Sequence, residues 1–211
     1  AGGTHLPDIN LALPVFAEGR LVGFVANIAH HADVGGMAPG SMSGGMTEIY
    51  QEGLRLPVMR LFDKGTLNDE LLELILLNVR LPIERRGDYY AQIAACRLGE
   101  RRLGEVIERY SATTTEAGFT QILERSAARM HTALSGIPDG VYQFQDAMDD
   151  DGVGNEDLVI AVTVTAKAGD VVFDFDGTCP QTLGNVNCTH NATVAAVTYG
   201  VKALLDPNAP N

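Results

Sequence analysis

The sequence predicts an α+β fold, in which strands and helices occupy separate stretches of the chain. Apolar residues alternate or run together in short segments near both ends, which is typical of β-strands. The middle of the chain instead carries long segments with apolar residues at helical spacing. We therefore expect a β-hairpin-rich N-terminal region (1–66), a central helical region (67–135), and a C-terminal β-hairpin with a helix (136–211).

The N-terminal region is predicted to contain a β-hairpin. Leu11, Leu13 and Val15 alternate with smaller residues, and residues 21–29 form a nearly continuous apolar run. A short turn at residues 18–20 separates the two segments, as an antiparallel hairpin requires. This arrangement places the regions around residues 8 and 30 side by side.

The central region is predicted to form three helices that serve as scaffold. Asn68 and the acidic residues after it are a cap and first turn for a helix over 69–77. Pro82 is suited to the first turn of a second helix, which we expect to turn Ile93, Cys96, Leu103, Val106 and Ile107 to one side. The residue types of a capping box at 113–116 open a third helix, which ends near 135–136.

The C-terminal region returns to strands. Residues 159–165 and 171–175 are rich in valine and flank a turn at 167–170, so a second hairpin is expected. The acidic residues just before them are assigned to a loop; they are Asp146, Asp149, Asp150 and Asp151. An alanine- and valine-rich stretch from about 191 to 205 is expected to close the chain as a helix.

Composition excludes several classes of function. The 211 residues include 15 Lys and Arg against 27 Asp and Glu, a formal charge of −12, which argues against nucleic acid or an anionic membrane as partner. No apolar run approaches the ~20 residues that span a bilayer. Three scattered cysteines indicate neither a disulfide framework nor a cysteine-rich zinc site, so we expect a reducing, cytoplasmic location. Because the chain starts at Ala1 without a lead-in strand, we interpret it as a piece of a longer protein, part of a larger domain.

Histidine and aspartate residues just before the first strand and just after the second strand of the predicted N-terminal hairpin are the strongest candidates for a functional site. His5 and Asp8 flank a proline-stiffened segment, and a His-His-Ala-Asp stretch at 30–33 follows the return strand. Two histidines and a carboxylate that converge are suited to Mn²⁺, Fe²⁺ or Zn²⁺. The alternative is that His5 and His30 only hydrogen-bond the surrounding loops. His131 and His190 are weaker candidates.

The glycine-rich stretch 35–45 allows two interpretations. Its backbone N–H groups could cradle an anion, although the stretch matches neither a P-loop nor a nucleophile elbow. The simpler interpretation is a flexible loop beside a site.

A second motif, near the C-terminus, resembles that of another enzyme class. Asp174, Asp176 and Thr178 follow an apolar strand, as in the D-x-D-x-T nucleophile motif of haloacid-dehalogenase-type phosphatases. Too little chain follows for that fold, and a strand end with a glycine turn explains the pattern better. Cys179 and Cys188 lack a histidine in a recognisable catalytic relation and are interpreted as structural.

Several stretches along the whole chain resemble the hydantoinase B/5-oxoprolinase family, which includes B subunits of ATP-dependent N-methylhydantoinases and a subunit of acetone carboxylases. They keep the order and spacing of the family pattern, and they are residues 2–8, 29–36, 50–57, 78–80, 87–95 and 174–181. The family usually has Ser where this chain has Asp176, which leaves the role of that turn open.

The resemblance implies a metal centre and a two-part reaction. In the carboxylase branch the equivalents of His5, Asp8 and His30 ligate a divalent metal, with a further Glu from a preceding segment. A partner A-type subunit or domain would use ATP to phosphorylate a cyclic amide such as a hydantoin, 5-oxoproline or another lactam. Water activated at the metal would then open the ring. His31, Asp33 and Glu52 are the implied candidates for catalytic proton transfer or ligand support.

Three other functions stay open at this point. A carboxylase subunit acting on a ketone is the alternative within the family, and bicarbonate dependence separates it from a hydrolase. A non-catalytic interface subunit would tolerate His5→Ala without loss of turnover. A phosphatase-like enzyme would lose Mg²⁺-dependent phosphate release in Asp174→Asn.

Overall fold

The computed structural model describes residues 3–209, so Gly2 of the first resembling stretch and the last two residues lie outside it. The described residues form an α+β fold, as the sequence predicts, and contain seven strands and four α-helices. They divide into two compact units, Gly3–Glu116 and 117–209, each considered by itself below.

The first unit begins with the predicted antiparallel hairpin, made of β1 (Asp8–Ala17) and β2 (Arg20–His30). Glu18 and Gly19 connect the strands with φ values of +52° and +75°. Positive φ at both central residues is the signature of the type I′ turn, whose twist matches that of paired strands. The hairpin prediction is confirmed.

Two short strands and two helices complete this unit. β3 (Phe62–Asp63) pairs with β4 (Thr66–Leu67), and neither was predicted. α1 (Asp69–Leu77) starts at the predicted cap, where Asn68 Oδ1 accepts a hydrogen bond from the Leu71 N–H. α2 (Pro82–Tyr110) starts at the predicted proline.

The core of the first unit lies between α1 and α2. Leu72, Ile75, Leu76, Val79 and Tyr89 are buried together there, and Ile9 of β1 packs against them. α2 also packs against both strands of the hairpin. The Val25 side chain lies close against the helix backbone at Gly99, where an added Cβ would lie 2.5 Å from a Val25 methyl carbon. Such close packing fixes the hairpin on the helix.

Two details of the predicted helices need correction. The apolar side of α2 is buried only in part, because Ile93 and Cys96 are buried whereas Val106 is 41% exposed. α3 (Ala112–Leu134) begins before the predicted capping box, and Ser111 Oγ accepts the Thr114 N–H at its start. Its predicted end is confirmed.

The second unit contains a three-stranded antiparallel sheet in the order β5-β6-β7. β5 (Gly140–Asp150) pairs with β6 (Glu156–Lys167), which continues through the predicted hairpin to β7 (Asp170–Asp174). The assignment of the acidic cluster to a loop was wrong for Asp146, Asp149 and Asp150, which lie in β5. Polar side chains interrupt the apolar pattern of this exposed edge strand, so the sequence pattern does not predict a strand there.

A C-terminal helix, α4 (His190–Leu205), confirms the last predicted element. Thr189 caps it, since its side chain accepts the Ala192 N–H. Within residues 3–209, no helix has the length and apolar character needed to cross a membrane.

Candidate metal centre

The register of the N-terminal hairpin places the first candidate ligands opposite each other. Asp8, the first residue of β1, pairs directly with His30, the last residue of β2. Directly opposed residues of an antiparallel pair project from the same face of the sheet. The Pro7 carbonyl accepts hydrogen bonds from the N–H groups of Ile9 and His31, at 3.0 and 2.9 Å, and the bond from His31 extends the cross-strand pairing one residue beyond Asp8 and His30.

His5 joins these two residues from the turn before β1. Its Nδ1 lies 3.2 Å from Asp8 Oδ2, and its ring meets the His30 ring edge-on with centroids 4.7 Å apart. One potential ligand atom from each of His5, Asp8 and His30 lies within 4.8 Å of the other two. The structure therefore brings together the three residues that the sequence singled out.

The chemistry of this donor set fits a divalent cation. Two imidazole nitrogens and a carboxylate oxygen suit Zn²⁺, Fe²⁺ or Mn²⁺. Although the buried Nδ1 of His5 lies only 3.2 Å from Asp8 Oδ2, it makes no hydrogen bond to any described residue. A buried nitrogen without a partner is costly unless something else binds it, and a metal ion would do so. Asp8 and His5 are partly exposed, with 23% and 26% of their side chains accessible, so the cluster is open to a ligand.

Glu52 supports the segment that carries His5. Its Oε2 accepts a hydrogen bond from the Leu6 N–H at 3.1 Å, a contact across 46 residues of sequence. Gly53 follows, with φ of +139°, and an added Cβ there would lie 2.4 Å from the Val34 carbonyl oxygen. The chain around Glu52 is thus packed backbone to backbone against the stretch that leaves β2.

His31 lies behind the cluster in the interior of the first unit. It is only 2% exposed, its ring stacks on that of Tyr89 with centroids 4.3 Å apart, and its Nε2 lies 2.8 Å from Gln92 Oε1. Burial raises the pKa of Tyr89 to about 12. The geometry places His31 against the helix rather than beside the three candidate ligands.

Asp33 is the centre of the loop that follows β2. Its Oδ1 accepts the N–H groups of Gly35 and Arg80, and its Oδ2 accepts the Gly40 N–H and the Arg80 guanidinium at 3.0 and 2.9 Å. Burial alone would raise the pKa of Asp33, but these four hydrogen bonds stabilise the carboxylate more and hold its pKa below the usual value. Asp33 therefore carries a negative charge that organises the loop.

The glycine-rich stretch does cradle an anion, but that anion is Asp33 itself. Gly35 and Gly40 supply two of the N–H groups, and Arg80 also donates to the carbonyls of Gly35, Gly36 and Ala38. The completely buried Ser41 accepts the Val34 N–H and donates to the Gly35 carbonyl. The first half of the stretch is consequently a fixed structural loop, not a flexible one.

Sequence reasoning missed the roles of Gln92, Asn27 and Arg80. Gln92 is 6% exposed and hydrogen-bonds to both hairpin strands from α2. A polar residue at helical spacing between the apolar positions Tyr89, Ile93 and Cys96 was the available signal, because a buried amide requires buried partners.

The phosphatase-like motif has a structural explanation. β7, which ends at Asp174, is antiparallel to β6 and does not begin a parallel sheet. Thr178 Oγ1 accepts the Ala161 N–H and donates to the Ala161 carbonyl, so it anchors the turn to β6. Asp174 accepts the Asp176 N–H. The motif is a strand end stabilised by its own turn.

The remaining candidates lie in the second unit, outside the three-residue cluster. His131 is exposed on α3, and His190 is the first residue of α4. Cys179 is half-buried and Cys188 exposed, and both are free thiols.

Comparison with known proteins identifies the family. Residues 1–211 match the family model described as hydantoinase B/oxoprolinase. The chain belongs to the hydantoinase B/oxoprolinase family. The predicted family is thereby confirmed over the whole sequence, including both regions that the structure places in separate units.

Relatives of this chain carry the names hydantoinase and 5-oxoprolinase. The chain is 36% identical over 185 residues to a protein of Pseudomonas sp. strain NS671 named as the B-type subunit of a D-/L-hydantoinase, covering 85% of this chain and 31% of the relative. It is 34% identical over 236 residues to 5-oxoprolinase 1 of Arabidopsis thaliana, covering 100% of this chain and 18% of that one. The chain thus spans about a third or less of the length of these relatives.

Two solved structures share the fold. The crystal structure of the ATP-dependent caprolactamase from Pseudomonas jessenii matches with a TM-score of 0.88 and 30% identity, over 95% of this chain and 34% of that chain. Nucleotide-free acetone carboxylase matches with a TM-score of 0.80 over 98% of this chain and 29% of that chain. At 21% identity the second likeness concerns the fold alone.

Proposed function

We propose that this chain carries the metal-binding, substrate-side part of an ATP-dependent cyclic-amide hydrolase. The observation that carries the proposal is the convergence of His5, Asp8 and His30, whose ligand atoms lie within 4.8 Å of one another at the open end of the hairpin. Relatives named as a hydantoinase and as a 5-oxoprolinase support a hydantoin, 5-oxoproline or related lactam as substrate.

The proposed division of labour follows from the chemistry of an amide. An amide carbonyl is a poor electrophile, so an A-type partner subunit or domain would use ATP to phosphorylate its oxygen. The hydrolytic half-reaction then needs a group that orients water and stabilises charge on oxygen. A divalent ion bound by His5, Asp8 and His30 would supply both, because it lowers the pKa of water that it coordinates.

The other residues of the first unit would keep this centre in place. Asp33 and Arg80 fix the loop after His30, and Glu52 holds the backbone at Leu6, beside His5. These contacts limit the motion of both segments that carry ligands, which is how surrounding hydrogen bonds support a metal centre. A proton-transfer role for His31, Asp33 or Glu52 stays a prediction; all three side chains accept or share hydrogen bonds with neighbouring protein groups.

Metal content of the intact protein is the first test. Wild type, His5→Ala and His30→Ala are purified identically and measured by elemental mass spectrometry, with circular dichroism as the check on folding. We expect stoichiometric Mn, Fe or Zn in wild type. The metal content of both variants should fall by at least about tenfold, because a site with three protein ligands loses most of its affinity when one of them is removed.

His131→Ala is the matched control, since this histidine is exposed on α3 in the second unit. It should retain the wild-type metal content. Metal that persists in both His5→Ala and His30→Ala, or wild-type protein without metal, would refute the proposed centre.

The reaction is tested in the complex with the A-type partner. ATP-dependent opening of a cyclic amide should be lost in His5→Ala and retained in His131→Ala. Turnover that survives in His5→Ala would indicate an interface subunit, and turnover of a ketone that depends on bicarbonate would indicate a carboxylase instead.

A further inference from the structure

We propose that Gln92 is the positioning residue of this metal centre. Its buried carboxamide ties α2 to both strand ends that carry ligands and holds Asp8 and His30 in register. The inference rests on the proposed function, because it concerns the same site, and it adds a residue outside the candidate ligand set.

Gln92 uses both ends of its side chain. Its Nε2 lies 3.0 Å from the Ile9 carbonyl oxygen of β1 and 3.0 Å from Asn27 Oδ1 of β2. Its Oε1 lies 2.8 Å from Nε2 of His31. Ile9 follows Asp8 in the chain, and His31 follows His30, so the carboxamide contacts the immediate neighbours of two candidate ligands.

The hydrogen-bond network determines which way the carboxamide points. Nε2 faces two acceptors, the Ile9 carbonyl and Asn27 Oδ1, so it must be the donating end. Oε1 then accepts from His31, which therefore carries its proton on Nε2. A reversed carboxamide would set oxygen against two oxygens, and the network excludes this.

Asn27 makes the connection reciprocal. Its Nδ2 donates to the backbone carbonyl of Gln92 at 2.9 Å while its Oδ1 accepts from the Gln92 side chain. The two amides thus hold each other in one rotamer, and α2 is joined to β2 at Asn27, three residues before His30, as well as to the strand ends.

The position of Asp8 and His30, far from the hairpin turn, explains why their pairing needs the hydrogen bonds of Gln92. The type I′ turn fixes the hairpin at residues 18–19, but Asp8 and His30 lie at the opposite, open end. The open end of a strand pair has no turn to hold it and opens more readily than the rest. Metal–ligand distances in well-formed sites lie within about 0.2 Å of their ideal values, so opening there would weaken binding before it unfolds the hairpin.

The test measures metal binding rather than turnover. Gln92→Met keeps the length and approximate volume of the side chain and removes all three hydrogen bonds. In the intact protein, Zn²⁺ affinity is measured by chelator competition, and Co²⁺ absorption reports ligand geometry. We expect the Kd for Zn²⁺ to rise at least tenfold and the Co²⁺ bands to change, as happens when groups that orient ligands are removed.

Gln121→Met, at an exposed position of α3, is the matched control and should leave both readouts unchanged. If circular dichroism shows that Gln92→Met does not fold, Asn27→Ala carries the test, and a severalfold rise in the Kd is expected because the carboxamide loses one partner.

The outcomes separate the two proposals. If Gln92→Met folds and keeps the wild-type Zn²⁺ affinity and Co²⁺ spectrum, the positioning role of Gln92 is refuted, while the proposed metal centre is not. Wild-type protein that binds no metal would overturn the metal centre, and the positioning role with it.

Discussion

Replacing Asp33 by Asn should destabilise the first unit strongly although it changes only one atom type and a charge. Each carboxylate oxygen of Asp33 accepts two hydrogen bonds, and an asparagine can offer only one oxygen. Whichever way the amide turns, two N–H donors lose their acceptor and face N–H groups instead.

The magnitude follows from these two orphaned donors. A buried donor without a partner costs about 1–3 kcal/mol, so two cost about 2–6 kcal/mol. The Arg80 side chain is 41% exposed, so water compensates part of its loss. We expect the free energy of unfolding to fall by about 3 kcal/mol at pH 7.

Urea unfolding followed by circular dichroism measures this loss, with Asp63→Asn as control. Asp63 is exposed and lies 3.8 Å from Arg60, so its replacement should change the unfolding free energy by no more than about 0.5 kcal/mol. A loss in Asp33→Asn no larger than that of the control would refute the view that Asp33 organises the loop.

The pH dependence of the same difference provides a second check. The pKa of Asp33 is lower in the folded protein than in the unfolded chain, so the ionised group stabilises the fold above its unfolded pKa of about 3.9. That stabilisation disappears as the pH falls through the lower, folded pKa. The stability gap between wild type and Asp33→Asn should therefore narrow below about pH 4, and a constant gap down to acid unfolding would contradict the assignment.

Two other substitutions test the packing around the site. Gly53→Ala should lower the free energy of unfolding by more than about 3 kcal/mol, because its Cβ would lie 2.4 Å from the Val34 carbonyl oxygen and its φ is +139°. Gly104→Ala, in open space on α2, is the control and should be neutral or stabilising. Equal unfolding midpoints for the two variants would refute the close approach at Gly53. Tyr89 should ionise near pH 12 in a spectrophotometric titration at 295 nm, and Tyr89→Phe should remove the absorbance change near that pH. Because the folded pKa of Tyr89 is raised, its contribution to stability is present below pH ~10 and is lost as the pH rises toward 12; a normal titration would contradict its burial.

Local signals in the sequence were sufficient for most elements of the fold. The turn at Glu18 and Gly19, the cap at Asn68 and the proline at 82 each predict an element that the structure contains. β5 was missed because both of its faces are exposed, and the alternation of Tyr142 and Phe144 with glutamines stops at Asp146, in an acidic stretch.

Only the part of the candidate site that depends on strand pairing could be predicted from the sequence. A hairpin with its turn near residues 18–20 brings the regions around residues 8 and 30 together, but the direct pairing of Asp8 with His30 also depends on the register shift between Val15 and Phe16, which the sequence did not indicate. The partners of Asp33, His31 and Glu52 lie 47, 61 and 46 residues away, at Arg80, Gln92 and Leu6. Such distant contacts depend on how α2 packs on the hairpin, which no local pattern encodes.

The type I′ turn has a consequence for how this part of the chain can vary. Side chains alternate between the two faces of a strand, so one extra or missing residue in the turn, or loss of the register shift between Val15 and Phe16, would move the pairing by one residue. Asp8 and His30 would then project on opposite faces, although the turn lies ten residues, or about 33 Å, from them. We therefore expect the segment between Asp8 and His30 to keep its length strictly, with most sequence freedom at its exposed positions.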